Sequence, residues 1–177
     1  SARTRAPASD RDQINEKSIS FSASHRAALA KTVKRQYENI PFSPEVEKNI
    51  LRLEEKNTFT VTTGHQLNIF TGPLYFIFKI VTVINTCNKL KERYPDNNFV
   101  PVYWMASEDH DYEEIKYFKL YGKKYVCNTE QSGAVGRFVT DGLSALANEI
   151  PGETKIFRDA YSKHKTLSAA VRHYVNA

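Results

Sequence analysis

The chain has 177 residues, 41% of them apolar and 25% charged, enough for one packed core and too apolar for a disordered segment. Its net charge of +5 is scattered, without the basic stripe that nucleic acid requires, so charge favours small anionic molecules at most. Cys87 and Cys127 have neither a CxxC partner nor a histidine at ligand spacing, which argues against a cysteine metal site and predicts buried thiols in a reducing cytoplasm.

Residues 1–23 read as a polar, solvated lead-in to a domain over 24–177, and no apolar signal core is present. Ser24 is placed to cap a helix with Leu29, Val33 and Tyr37 on one face, stopping before Pro41. Ser43-Pro44 starts a second helix, with Glu45 and Glu47 near its positive end and Val46, Ile50 and Leu53 as its buried stripe. Phe59 and Val61 open a β-rich run that stops at Gly64-His65, and a polar loop leads to Gly72-Pro73. The helix after Pro73 is apolar on most of its circumference, from Leu74 to Cys87, which predicts burial on both sides. Lys79 interrupts it, and the apolar stretch is well short of the roughly 20 residues of a membrane span.

A continuous apolar run over 99–106 predicts a strand buried on both faces. Pro101 removes one ladder donor, so pairing begins after it or the strand lies at an edge. Segments 116–121 and 124–128 flank Gly122-Lys123, a pair suited to a type II′ hairpin. Gly133 and Gly136 mark a loop, Asp141 is a candidate cap for a helix ending at Pro151-Gly152, and two helices over 153–164 and 166–175 follow. Strand, loop, helix and strand form a βαβ unit in an α/β fold with flanking helices and a β-hairpin. Both unusual polar runs, 62–65 and 107–111, fall on the C-terminal edge of its strands, where open α/β sheets bind ligands.

Thr62-Thr63-Gly64-His65 fits the (His or Thr)-x-Gly-His pattern of adenylate-forming Rossmann enzymes. There Gly64 would let the backbone approach a nucleotide and His65 would donate to a phosphate; the plainer alternative is a strand-ending glycine beside a satisfied histidine. Neither GxxxxGK[ST] nor GxGxxG occurs. Thr71 and Gly72-Pro73 prepare a helix N-terminus for an anion or merely cap it, while Lys79, two turns on, reaches a phosphate or snorkels to solvent. Glu108, Asp109, His110 and Asp111, followed by Glu113 and Glu114, supply a general base for an amine or hold a divalent ion beside phosphates. Their structural alternative is acids at a helix start, with Ser107 or Asp111 as cap. A histidine between two aspartates directly after a buried strand favours the functional reading.

TTGHQLNIFTGPLYFIFKI followed by VPVYWMASEDHDYEEI resembles the bacillithiol biosynthesis cysteine-adding enzymes. The resemblance extends more weakly to Gly133-Ala134-Val135-Gly136-Arg137 and to the Ala160-Tyr161 and Thr166-Leu167-Ser168 segments. It implies a Rossmann-like nucleotidyltransferase-type core, here the N-terminal fragment of a longer chain whose coiled-coil arm supports a homodimer. The implied activity joins L-cysteine to the amino group of glucosaminyl malate, with ATP and Mg2+ activating the carboxylate and with no nucleic acid or membrane as partner. By position, His65, Asp109, His110 and Asp111 would carry the chemistry. Thr62, Gly64, Gln66, Asn68, Thr71, Gly72, Trp104 and Glu108 would bind substrate or nucleotide. No metal would be held by protein ligands alone. Some relatives carry glutamine at the position of His65. The fragment alone is expected to be inactive. A non-catalytic module for a small anion or nucleotide, and a nucleotidylyltransferase with another acceptor, remain the rival readings.

Overall fold

A computed structural model describes residues 9–38, 40 and 42–176. They divide into two compact units: the described part of Ser1–Val61 with Asn85–Pro101, and that of Thr62–Ile84 with Val102–Ala177. The chain follows the order α1 (Asp10–Ser20), α2 (Ala23–Gln36), α3 (Pro44–Arg52), β1 (Thr58–Gln66), α4 (Leu74–Arg93) and β2 (Asn98–Ala106). After it come α5 (Tyr112–Ile115), β3 (Tyr117–Leu120), β4 (Lys123–Val126), α6 (Asp141–Glu149), α7 (Lys155–Lys163) and α8 (Leu167–Asn176). β1 and β2 lie side by side as the parallel pair of the predicted βαβ unit, joined through α4.

In the first unit, the stretch expected to be an aperiodic lead-in is helical from Asp10 on; its first eight residues lie outside the described residues. A capping box explains the helix: Ser9 Oγ accepts from Asp12 N, and the Asp12 carboxylate accepts from Ser9 N at 3.2 Å. Helix α1 buries no residue, so local capping rather than packing defines it. Helix α2 is capped by Ser22, two residues before the expected Ser24, because Ser22 has the extended backbone and accepts from His25 N. α3 begins as predicted, with Ser43 as cap, Pro44 in its first turn, and Ile50 and Leu53 buried. The buried Arg26 guanidinium donates to the Thr58 carbonyl at 2.8 Å, which ties α2 to the start of β1. Burial pushes the Cys87 thiol up to about 11, leaving it protonated at neutral pH.

The second unit holds an apolar core built from the loop after β1 (Leu67, Ile69, Phe70), the hairpin, and helices α6 to α8. Tyr161, Leu167, Ala170, Val171 and Tyr174 project into it. The hairpin turn is Tyr121-Gly122, one residue earlier than the expected Gly122-Lys123. Both turn residues have positive φ, 49° and 77°, so the turn is of type I′ rather than II′. Thr140, not Asp141, sits at the cap of α6, and its hydroxyl donates to the carbonyls of Tyr161 and His164 instead of accepting from the helix.

Two burial expectations need correction. Helix α4 buries Phe76, Val83 and Cys87 but exposes Leu74, Ile77, Phe78, Val81 and Ile84, so its second apolar face is uncovered among the described residues. β2 buries only Val100 fully, and Trp104 is 59% exposed. Among the described residues the sheet has two strands, so no third strand completes its layer and β2 is an edge strand, where a proline is tolerated.

Candidate functional site

The loop after β1 is built on a backbone conformation that the sequence does not advertise. Phe70 and Thr71 have φ of 51° and 64°, followed by Gly72 at 62°. Non-glycine residues pay roughly 1–3 kcal/mol each for such geometry, so the surroundings must enforce it. They do. Phe70 N donates to the Tyr161 hydroxyl at 3.0 Å, and the Tyr174 hydroxyl donates to the Asn68 carbonyl at 2.5 Å. The Phe70 ring packs 5.0–5.4 Å from the rings of Phe118, Phe157 and Tyr161. Burial raises the pKa of both tyrosines far above neutrality, so each keeps its proton.

The end of β1 and the loop after it position the predicted residues in distinct ways. Thr62 is exposed on β1. Gly64 has an immediate structural use: a Cβ there would lie 3.2 Å from Trp104 Cβ, so glycine lets the indole lie against β1. His65 meets the Asn68 amide through Nδ1 at 2.9 Å, and its ring stands 5.9 Å from that of Tyr75. Asn68 is only 5% exposed, and a Cβ at Gly72 would come within 2.6 Å of its side chain. Lys79 does not snorkel outward: its ammonium donates to the Gly64 carbonyl at 2.9 Å and lies 4.6 Å over the Tyr75 ring.

The run after β2 meets the last residue of β1 at one bond. Gln66 Nε2 donates to Asp109 Oδ2 at 3.1 Å, while Asp109 Oδ1 accepts from Asp111 N at 2.7 Å. These donors, the Asp111 backbone first, hold the Asp109 carboxyl below the usual carboxylate range. Asp111 caps α5 by accepting from Glu114 N at 3.3 Å, and Glu108 and His110 are exposed. His65, Gln66, Asn68 and Asp109 are therefore joined by hydrogen bonds; Glu108, His110 and Asp111 flank them in solvent. A pocket of about 470 Å³ lies elsewhere, lined by Cys127, Gln131, Phe138, Leu143 and their neighbours, with none of the predicted site residues in its wall. Among the described residues no group of three His, Cys, Asp or Glu side chains is arranged to hold a metal ion.

Sequence reasoning missed the supports. Gly136 N donates to the Ser107 carbonyl at 2.9 Å, and a Cβ at Gly136 would fall 2.6 Å from that oxygen. Val135 N donates to the Asp109 carbonyl at 2.8 Å. The paired glycines at 133 and 136 were the available signal for this strap. Nothing local marks Tyr161 and Tyr174, which look like ordinary helix packing residues more than ninety positions from the loop they hold.

The family model described as "Bacillithiol biosynthesis BshC, N-terminal Rossmann-like domain" matches residues 3–177. The chain is 49% identical over 175 residues to "Putative cysteine ligase BshC" of Flavobacterium johnsoniae, covering 93% of this chain and 33% of that protein. It is 47% identical over 175 residues to the protein of the same name from Flavobacterium psychrophilum, with the same coverage. Against that of Cytophaga hutchinsonii it is 48% identical over 148 residues, 84% of this chain and 28% of the relative. The chain thus spans about a third of the length of these relatives. With the parallel β1-α4-β2 unit and the match over nearly every residue, the chain belongs to the bacillithiol biosynthesis BshC family, in its N-terminal Rossmann-like domain.

Proposed function

We propose that this chain is the N-terminal part of a ligase that joins the carboxyl group of L-cysteine to the amino group of glucosaminyl malate, with ATP activating the carboxylate as an adenylate. The observation that carries the reading is the Gln66–Asp109 hydrogen bond, which joins the last residue of β1 to the run following β2 in one site at the strands' carboxyl ends. In the first step a cysteine carboxylate oxygen attacks the α-phosphorus, and pyrophosphate leaves with the electrons of the broken bond. In the second the amine attacks the acyl carbon, an amide forms, AMP leaves, and the amine loses a proton. His65 suits the first step, as a hydrogen-bond donor to a phosphate oxygen. Asp109 is ionised and, with its lowered pKa, a weak base; it suits holding the acceptor in place, with exposed His110 beside it to take the proton. Magnesium fits this site only as an ion brought by nucleotide phosphates and completed by one or two carboxylates.

The test uses a full-length protein containing this domain. Cysteine should drive exchange of labelled pyrophosphate into ATP without the amine acceptor, and His65→Ala should slow that exchange by about 10²-fold. Turnover to ADP and phosphate without exchange would replace the adenylate by an acyl phosphate. Calorimetric titration that detects only one of the three compounds, and no turnover, would leave a binding module.

A further inference from the structure

We propose that Asn68 fixes His65 as the Nε2–H tautomer, so that the ring meets its ligand as a hydrogen-bond donor to an oxygen and not as a base. Both hydrogens of the Asn68 amide are committed locally. One faces His65 Nδ1 at 2.9 Å and the other the Gln66 carbonyl at 3.0 Å. The carbonyl decides which end of the amide lies there: exchanging oxygen and nitrogen would set two acceptors against each other at that distance. A donor opposite Nδ1 needs a lone pair on that nitrogen, and a neutral imidazole then carries its hydrogen on Nε2. The Gln66 carbonyl also lies 3.2 Å from Nδ1 and would favour the other tautomer, but a hydrogen on Nδ1 would then face the amide hydrogens at the shorter distance of 2.9 Å.

The device is rigid because Asn68 is. Its side chain is buried and fills the space over Gly72, and its own carbonyl accepts from Tyr174. Asn68 is therefore a positioning residue, acting on the ligand only through His65. The ligand atom that His65 takes is an oxygen acceptor of the phosphate or carboxylate kind. That last identification rests on the proposed ligase reading; the tautomer does not.

Long-range proton–nitrogen correlation spectra of the chain, labelled with 15N-histidine and recorded without substrates above the usual histidine range of about 6.5, test it directly. His65→Gln assigns the signal by removing it. The expected wild-type pattern has Nδ1 bare and Nε2 protonated. Asn68→Asp puts an acceptor opposite Nδ1 and should transfer the hydrogen there. Asn68→Ala leaves only the Gln66 carbonyl and should shift the ring toward the same form. A wild-type ring with Nδ1–H overturns the proposal, and so does a folded variant of either kind that keeps the wild-type pattern. The wild-type spectrum decides its arm even where a variant does not fold. A full-length protein that neither exchanges pyrophosphate nor joins cysteine to the amine, with the tautomer as expected here, would refute the ligase reading alone.

Discussion

The runs that follow β1 and β2 end on the same sheet edge, yet one is set into the core and the other stands in solvent. Leu67, Asn68, Ile69 and Phe70 are all buried, and the left-handed turn they lead into is pinned by two tyrosine hydroxyls. Glu108, His110 and Asp111 are exposed, and only Asp109 reaches across to Gln66. The difference separates two jobs. A buried, strained loop holds donors in fixed places at the cost of stability elsewhere. An exposed acidic run keeps its charges solvated and free to meet a ligand. Mutations should therefore fall on stability in the first run and spare it in the second.

The sharpest way to break that contrast is Phe70→Ala. Removing a ring packed among three others should cost about 3–5 kcal/mol in chemical denaturation. A loss below about 1 kcal/mol would mean that the loop is not part of the core. Tyr174→Phe comes next: it leaves the buried Asn68 carbonyl without its donor and should cost about 1–3 kcal/mol, measured the same way. On the solvent side, Glu108→Gln and His110→Ala should each stay within about 0.5 kcal/mol of the parent. A large loss for either would place the acidic run in the folded framework and remove the contrast.

The smallest effect concerns pH. His164 Nε2 lies 2.9 Å from His173 Nδ1, and burial first, then the charges of His173 and Lys163, lower its pKa. A histidine with a depressed folded pKa binds protons more readily when unfolded. Its contribution to stability is complete above the usual value of about 6.5 and is lost as pH falls below it. Melting temperature should therefore drop more between pH 7.5 and 5.5 in the parent than in His164→Gln. Equal drops would show that the pair does not titrate against folding.

Local capping and turn chemistry was legible only in part: the capping box of Ser9 and Asp12 is as local as any, yet it lies in the stretch expected to be aperiodic. Ser43-Pro44 starts α3, and the order strand, loop, helix, strand gave the parallel βαβ unit, because period and turn residues act over a few positions. The Ser22 cap and the type I′ turn at Tyr121-Gly122 differ by one or two residues from expectation, since neighbouring serines and glycines compete for one geometry and packing selects between them. The sequence by itself determined the family, the βαβ order and the two polar runs at the strand ends, all of which rest on residue identity and short-range pattern. Tertiary structure alone decided that Asn68 turns inward to His65, that Tyr161 and Tyr174 hold a left-handed turn from distant helices, and that one face of α4 stays uncovered among the described residues. Each of these depends on which surfaces meet across long stretches of chain, and periodicity reports that a face is apolar without saying what, if anything, covers it.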